Sequence, residues 1–123
     1  MSRIFRQLAV LAMALGLTLG MAGCGSEPTE LPEGTVLIDV RTPQEFADGH
    51  LQDAINIDIQ SPDFTAQLSE LPTDGSYVVY CRSGNRSAQA ISQMTQLGFT
   101  TLIDGGGLGA ASRTTGADIV TDS

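Results

Sequence analysis

Cys81 opens the segment Cys81-Arg82-Ser83-Gly84-Asn85-Arg86-Ser87, and Cys24 is the only other cysteine in the chain. The apolar run Tyr77-Val78-Val79-Tyr80 precedes it, and a stretch of helical periodicity follows. A thiol at a strand's end, followed by small residues and a helix start, lies within a ring of backbone N–H groups. Helix N-termini and such nests of amides carry partial positive charge and bind anions. The same field lowers a cysteine pKa and yields thiolate near neutral pH. Arg82 and Arg86 add two formal positive charges. The pattern reads as a nucleophile in an anion cradle. The competing reading is an inert thiol packed as a small hydrophobe, and the charged and polar residues that follow Cys81 argue against it.

Few other residues compete for a chemical role. Asp39, Arg41 and Glu45 read as a polar network tying a first strand to its helix. His50 is the only histidine, and a papain-like Cys–His pair would place it beside Cys81. Cys81 and His50 alone do not make a zinc site of the usual Cys/His kind, so no metal and no cofactor are expected. The triple glycine at 105–107 lacks the strand-to-helix spacing and later acid of a dinucleotide fingerprint.

The elements that must position Cys81 follow from local pattern. Val36-Leu37-Ile38-Asp39-Val40 suits a strand buried on both faces, as in a parallel sheet. Thr42-Pro43-Gln44-Glu45 has capping-box spacing with proline at the first helical position, which predicts a short helix to about Ala47. Ala54-Ile55-Asn56-Ile57 reads as a second short strand, and Ser61-Pro62 as the start of a helix near residues 64–71. Residues 76–80 form the strongest strand pattern. Beyond the cysteine loop, Ala90, Met94 and Leu97 fall at i, i+4 and i+7 with Ile91 alongside, a helical stripe stopped by Gly98. A last strand is expected over 99–103, then a flexible turn over 104–107. Strands alternating with helices at these spacings predict an α/β domain with a mainly parallel sheet.

The first 23 residues read as targeting sequence. Arg3 and Arg6 make a positive start, and residues 8–23 are apolar or glycine except for Thr18. That stretch is shorter than the ~20 residues a membrane-spanning helix needs and ends in the small residues of an export signal. Met21-Ala22-Gly23-Cys24 resembles a bacterial lipobox, which would make Cys24 the lipidated mature N-terminus; an ordinary cleaved signal, cut near Ala22, is the alternative. Residues 24–34 then serve as a tether, and residues 35–120 as one domain with a single modest core. The chain has no lysine, and its 14 acidic residues all follow the leader. Against Arg41, Arg82, Arg86 and Arg113, they leave a side-chain balance of −10. Nucleic-acid binding is excluded on that balance, because neutralising phosphates needs a basic face. Export would put Cys81 in an oxidising compartment, and with Cys24 acylated it would have no disulfide partner.

Taken together, three stretches resemble the rhodanese family. Leu37-Ile38-Asp39-Val40-Arg41, Glu45-Phe46, Gly49-His50-Leu51 and Ala54-Ile55-Asn56-Ile57 look like the opening of a rhodanese domain. Residues 81–87 resemble that family's active-site loop, and Gly98-Phe99 with Asp104-Gly105-Gly106-Gly107-Leu108 its closing strand and glycine turn. The likeness covers about 35–108 and is greatest to the small exported single-domain type.

The resemblance implies a three-layer α/β domain, a mainly parallel central sheet with helices on both faces. It implies sulfur transfer: the Cys81 thiolate takes the outer sulfur of thiosulfate or a similar donor, and cyanide or a small thiol then removes it. By the same likeness Arg82, Ser83, Gly84, Asn85, Arg86 and Ser87 hold the anion, Arg86 closing the loop and Arg82 steering at its rim, while His50 falls in the turn before the second strand. Four residues separate Cys81 from Arg86, as in sulfurtransferases; the related phosphatases and arsenate reductases have one more. A module that carries or senses sulfur without turnover, and, further off, a cysteine-dependent phosphatase or arsenate reductase, remain as alternatives. Many rhodaneses follow the glycine turn with a bulky apolar residue and a tryptophan, whereas Leu108-Gly109-Ala110-Ala111 stands here and the chain has no Trp.

Overall fold

The computed structural model describes residues 30–121; the leader, Cys24 and the first part of the tether lie outside the described residues. Four parallel strands form the central sheet, in the order β3 (Ile55–Asn56), β1 (Val36–Asp39), β4 (Ser76–Cys81), β5 (Thr101–Gly107). The helices between them are α1 (Pro43–Asp48), α2 (Phe64–Leu68) and α3 (Asn85–Gln96), and α4 (Leu108–Thr115) follows β5. The result is the α/β arrangement expected, with a mainly parallel sheet and helices on both faces.

Strands β1 and β4 lie at the centre of the sheet, and their near-continuous apolar sequences are the consequence. Side chains alternate across β4: Tyr77, Val79 and Cys81 face one core cluster, and Tyr80 the other. The first cluster also holds Ile38 and Val40, with Phe64 and Leu68 of α2 and Ala90 and Met94 of α3 packed over them. The second, smaller cluster sets Leu51 and Ala111 of α4 against Tyr80. Burying each large aliphatic side chain contributes about 1.5–3 kcal/mol, so the face under α2 and α3 holds most of the stabilisation. Cys81 therefore leaves β4 on the thicker side, beneath α3.

Helix α1 starts as its sequence dictates. Thr42 Oγ1 accepts the Glu45 N–H at 3.2 Å and the Glu45 carboxylate accepts the Thr42 N–H at 3.3 Å, a closed capping box with Pro43 behind it.

Several expectations need correction. Residues 104–107 are not a flexible turn: β5 runs through Gly107 and stays paired with β4 up to Cys81 opposite Gly107. A register shift opposite Val79/Tyr80 leaves Gly105 as the extra residue, a bulge that glycine tolerates. The strand begins at Thr101, later than Phe99, which packs in the core instead. His50 is in a strand and not a turn: β2 (His50–Leu51) pairs antiparallel with β6 (Ile119–Val120) in a separate two-stranded sheet. Helix α2 stops at Leu68, short of residue 71. Leu97, expected on the buried stripe of α3, is 38 % exposed, since the helix has ended at Gln96 and Leu97 only caps it. Where a tryptophan is usual, the small residues after Gly107 form α4, and Ala111 alone is fully buried there.

Candidate active site

Cys81 ends β4, and α3 begins four residues later, so the loop between them has to turn sharply. Gly84 makes that turn with φ +99 and stands as N-cap of α3, a conformation an L side chain adopts only under strain. The turn brings the Gly84 N–H to 2.8 Å from Cys81 Sγ. Burial pushes the Cys81 thiol up, but the Ser87, Gly84 and Ser83 N–H groups face the sulfur, and together they hold its pKa below the ordinary value. A thiolate held by backbone amides at a helix N-terminus is a poised nucleophile.

The loop is packed from behind by β5. A methyl group on Gly107 would come 2.6 Å from the Arg82 carbonyl oxygen, so only glycine lets β5 run this close to the residue after the nucleophile. Ser87 is fully buried, and its Oγ lies 2.9 Å from the Gly84 carbonyl and 2.8 Å from the Asp104 carboxylate, which also accepts the Gly106 N–H at 2.9 Å. Loop and strand are thus tied through one serine. The Asp104 contact had no signal in the sequence, since it joins residues on different elements.

The arginines part company. Arg86, near the start of α3, gives Nη1 and Nη2 to the two carboxylate oxygens of Glu45 at 2.8 and 2.9 Å, a bidentate pair across 41 residues. That guanidinium holds the Glu45 carboxyl down at about 2, and Glu45 in turn raises Arg86. Arg86 therefore fixes the loop against α1, with both terminal nitrogens committed to Glu45. The expected Asp39–Arg41–Glu45 network divides accordingly. Asp39 and Arg41 form a buried pair, with Arg41 Nη2 2.7 Å from Asp39 Oδ2 and also on the Gly49 carbonyl, while Glu45 serves Arg86. Arg82 is exposed and its side chain has no partner among the described residues; Ser83 and Asn85 are exposed too. His50 stacks on Phe46 at 3.7 Å between ring centroids, with Nδ1 2.8 Å from the Phe46 carbonyl. The groups facing the sulfur are instead those of the loop. Among the described residues no group of three or more His, Cys, Asp and Glu side chains could hold a metal ion.

A parallel α/β sheet whose central strand ends in a cysteine loop under a helix N-terminus fits a rhodanese-type domain. The family model for the rhodanese-like domain matches residues 28–108, and the chain belongs to that family. A sulfurtransferase of Allochromatium vinosum is 40 % identical over 67 residues, covering 54 % of this chain and 61 % of the relative. The thiosulfate sulfurtransferase PspE of Escherichia coli is 32 % identical over 71 residues, covering 58 % of this chain and 68 % of the relative. The solved structure of a rhodanese with anions from E. coli superposes with a TM-score of 0.58 at 27 % identity, over 71 % of this chain and 98 % of that one. The matched stretch spans less than two thirds of the A. vinosum relative.

Proposed function

We propose that the chain is an exported sulfurtransferase that passes sulfane sulfur from thiosulfate, or a donor like it, to a thiophilic acceptor through a persulfide on Cys81. The observation that supports this most is the Gly84 N–H 2.8 Å from Sγ, in a loop whose amides favour the thiolate. In the first step the thiolate attacks the outer sulfur of thiosulfate; the S–S bond breaks and its electron pair leaves with sulfite. The new persulfide keeps one negative charge, which the Gly84, Ser83 and Ser87 amides stabilise in place. In the second step a nucleophile takes the outer sulfur and Cys81 returns to thiolate. Thiosulfate heads the donors because the E. coli relative is a thiosulfate sulfurtransferase by name. The gap of four residues between Cys81 and Arg86 favours sulfur over a phosphoryl group.

The full chain, given thiosulfate and cyanide, is expected to form thiocyanate and to gain the mass of one sulfur on Cys81. Activity that survives Cys81→Ser sinks the assignment. The export part of the reading rests on residues 1–23 and on Cys24, whose lipidation would anchor the domain facing the periplasm or the cell exterior. Among the described residues no helix is long and apolar enough to cross a membrane. Replacing Cys24 with Ser is expected to move the protein from the membrane fraction to the soluble one; a native protein already soluble, with an unmodified N-terminus, overturns the anchor.

A further inference from the structure

Beside the Cys81 loop lies an open pocket of about 200 Å³, lined by Arg41, Glu45, Asp48 and Arg82. Two of those charges are satisfied within the protein: Arg41 by Asp39 and the Gly49 carbonyl, Glu45 by Arg86. The other two, Arg82 and Asp48, are exposed and have no side-chain partner among the described residues. The pocket thus presents one cation and one carboxylate without a side-chain partner among the described residues, at the residue that follows the nucleophile.

Arg82 suits an anionic sulfur donor. Asp48 does not, because a carboxylate at the mouth of an anion site repels thiosulfate and cyanide alike. Nor does its place in the fold account for it. Asp48 is the last residue of α1, where a negative charge opposes the helix dipole and a cation would be favourable. What complements both groups at once is a small molecule carrying an ammonium and a carboxylate.

We propose that this pocket binds the sulfur acceptor, and that the acceptor is a zwitterionic amino thiol of the size of free cysteine, its ammonium on Asp48 and its carboxylate on Arg82. The assignment rests on the sulfurtransferase reading and names the substrate of its second step. Arg82 serves each half-reaction in turn: sulfite departs, and the acceptor carboxylate takes its place. The acceptor's thiol loses its proton to water. Its thiolate attacks the outer sulfur of the Cys81 persulfide, the S–S bond breaks with its electron pair going to Cys81 Sγ, and the acceptor leaves as a persulfide. No oxidant or reductant is needed.

The test uses the full chain, loaded with sulfur from thiosulfate and freed of donor. Discharge is then timed with cysteine, cysteine methyl ester, N-acetylcysteine and 2-mercaptoethanol at equal thiolate concentration. Cysteine is expected to be the fastest, with each capped form slower by about fivefold, the scale of one partly exposed ion pair, and the neutral thiol, which lacks both charges, slower by about twenty-five-fold. In Asp48→Asn the advantage of cysteine over N-acetylcysteine is expected to vanish, while its advantage over the methyl ester persists. Equal rates for all four thiols, or an undiminished ammonium preference in Asp48→Asn and Asp48→Ala, overturn the acceptor assignment alone. Failure of any donor to load Cys81 overturns the sulfurtransferase reading, and this assignment with it.

Discussion

Glu45 divides its carboxylate between two elements, closing the capping box of α1 and receiving the Arg86 guanidinium from α3. The pairing lowers its pKa to about 2, so the contribution follows the depressed-carboxylate case. Stability from the pair is fully present above the unfolded value near 4.5 and is lost as pH falls through about 2. Glu45→Gln keeps an acceptor for Thr42 while removing the charge. It is expected to cost about 1–2 kcal/mol at pH 7, less than the whole pKa shift would convert to, because both side chains are partly in water. Denaturant titrations of the two proteins should converge as pH is lowered from 4.5 to 2. A gap that stays constant over that range would show the carboxylate charge to be irrelevant. The same substitution loosens Arg86, which starts the helix over Cys81, so slower sulfite release at pH 7 is expected alongside the loss of stability.

Among the elements, those anchored by a local code were legible in the sequence. Thr42, Pro43 and Glu45 set the start of α1, the uncharged run 76–80 gave β4, and Gly98 with φ +99 marked the end of α3. These features are fixed within a few residues of chain. What stayed hidden depends on distant contacts: β2 and β6 are two residues each, too short for any periodicity, and exist only because they pair with one another. The Glu45–Arg86 pair and the Ser87–Asp104 bond belong to the same class. The glycines at 105–107 misled for a physical reason. Their composition suggests a turn, yet Gly107 is there because the Arg82 carbonyl leaves no room for a side chain. Gly107→Ala is therefore expected to cost about 1–3 kcal/mol as an overpacked site, and to displace the nucleophile loop. Sulfite release should slow by more than the loss of folded protein explains. A variant with normal Tm and normal rate would mean that β5 yields easily and the close approach is incidental.

At the scale of the whole molecule, the charges are distributed against the overall balance. Arg41, Arg82 and Arg86 all lie near the Cys81 loop, and Arg113 on α4 is the only other arginine among the described residues. Acidic side chains dominate the remaining surface and set the −10 side-chain balance of the chain beyond residue 23. On the proposed reading, a dianionic donor would thus meet a repulsive far field and an attractive near one. Arg41 and Arg86 are already paired with Asp39 and Glu45, so the near field rests chiefly on Arg82 and the loop amides. Salt screens charges beyond a Debye length of about 8–10 Å at physiological strength, and so weakens the long-range repulsion more than a close contact at the pocket. Arg82→Ala leaves the repulsion and removes the local cation. Its kcat/KM for thiosulfate is expected to fall several-fold at low salt and then to rise as salt is added. The unaltered chain, in which the two effects oppose each other, should rise less steeply. Parallel salt slopes in the two proteins would place the steering charge elsewhere, and would leave Arg82 without a part in capturing the donor.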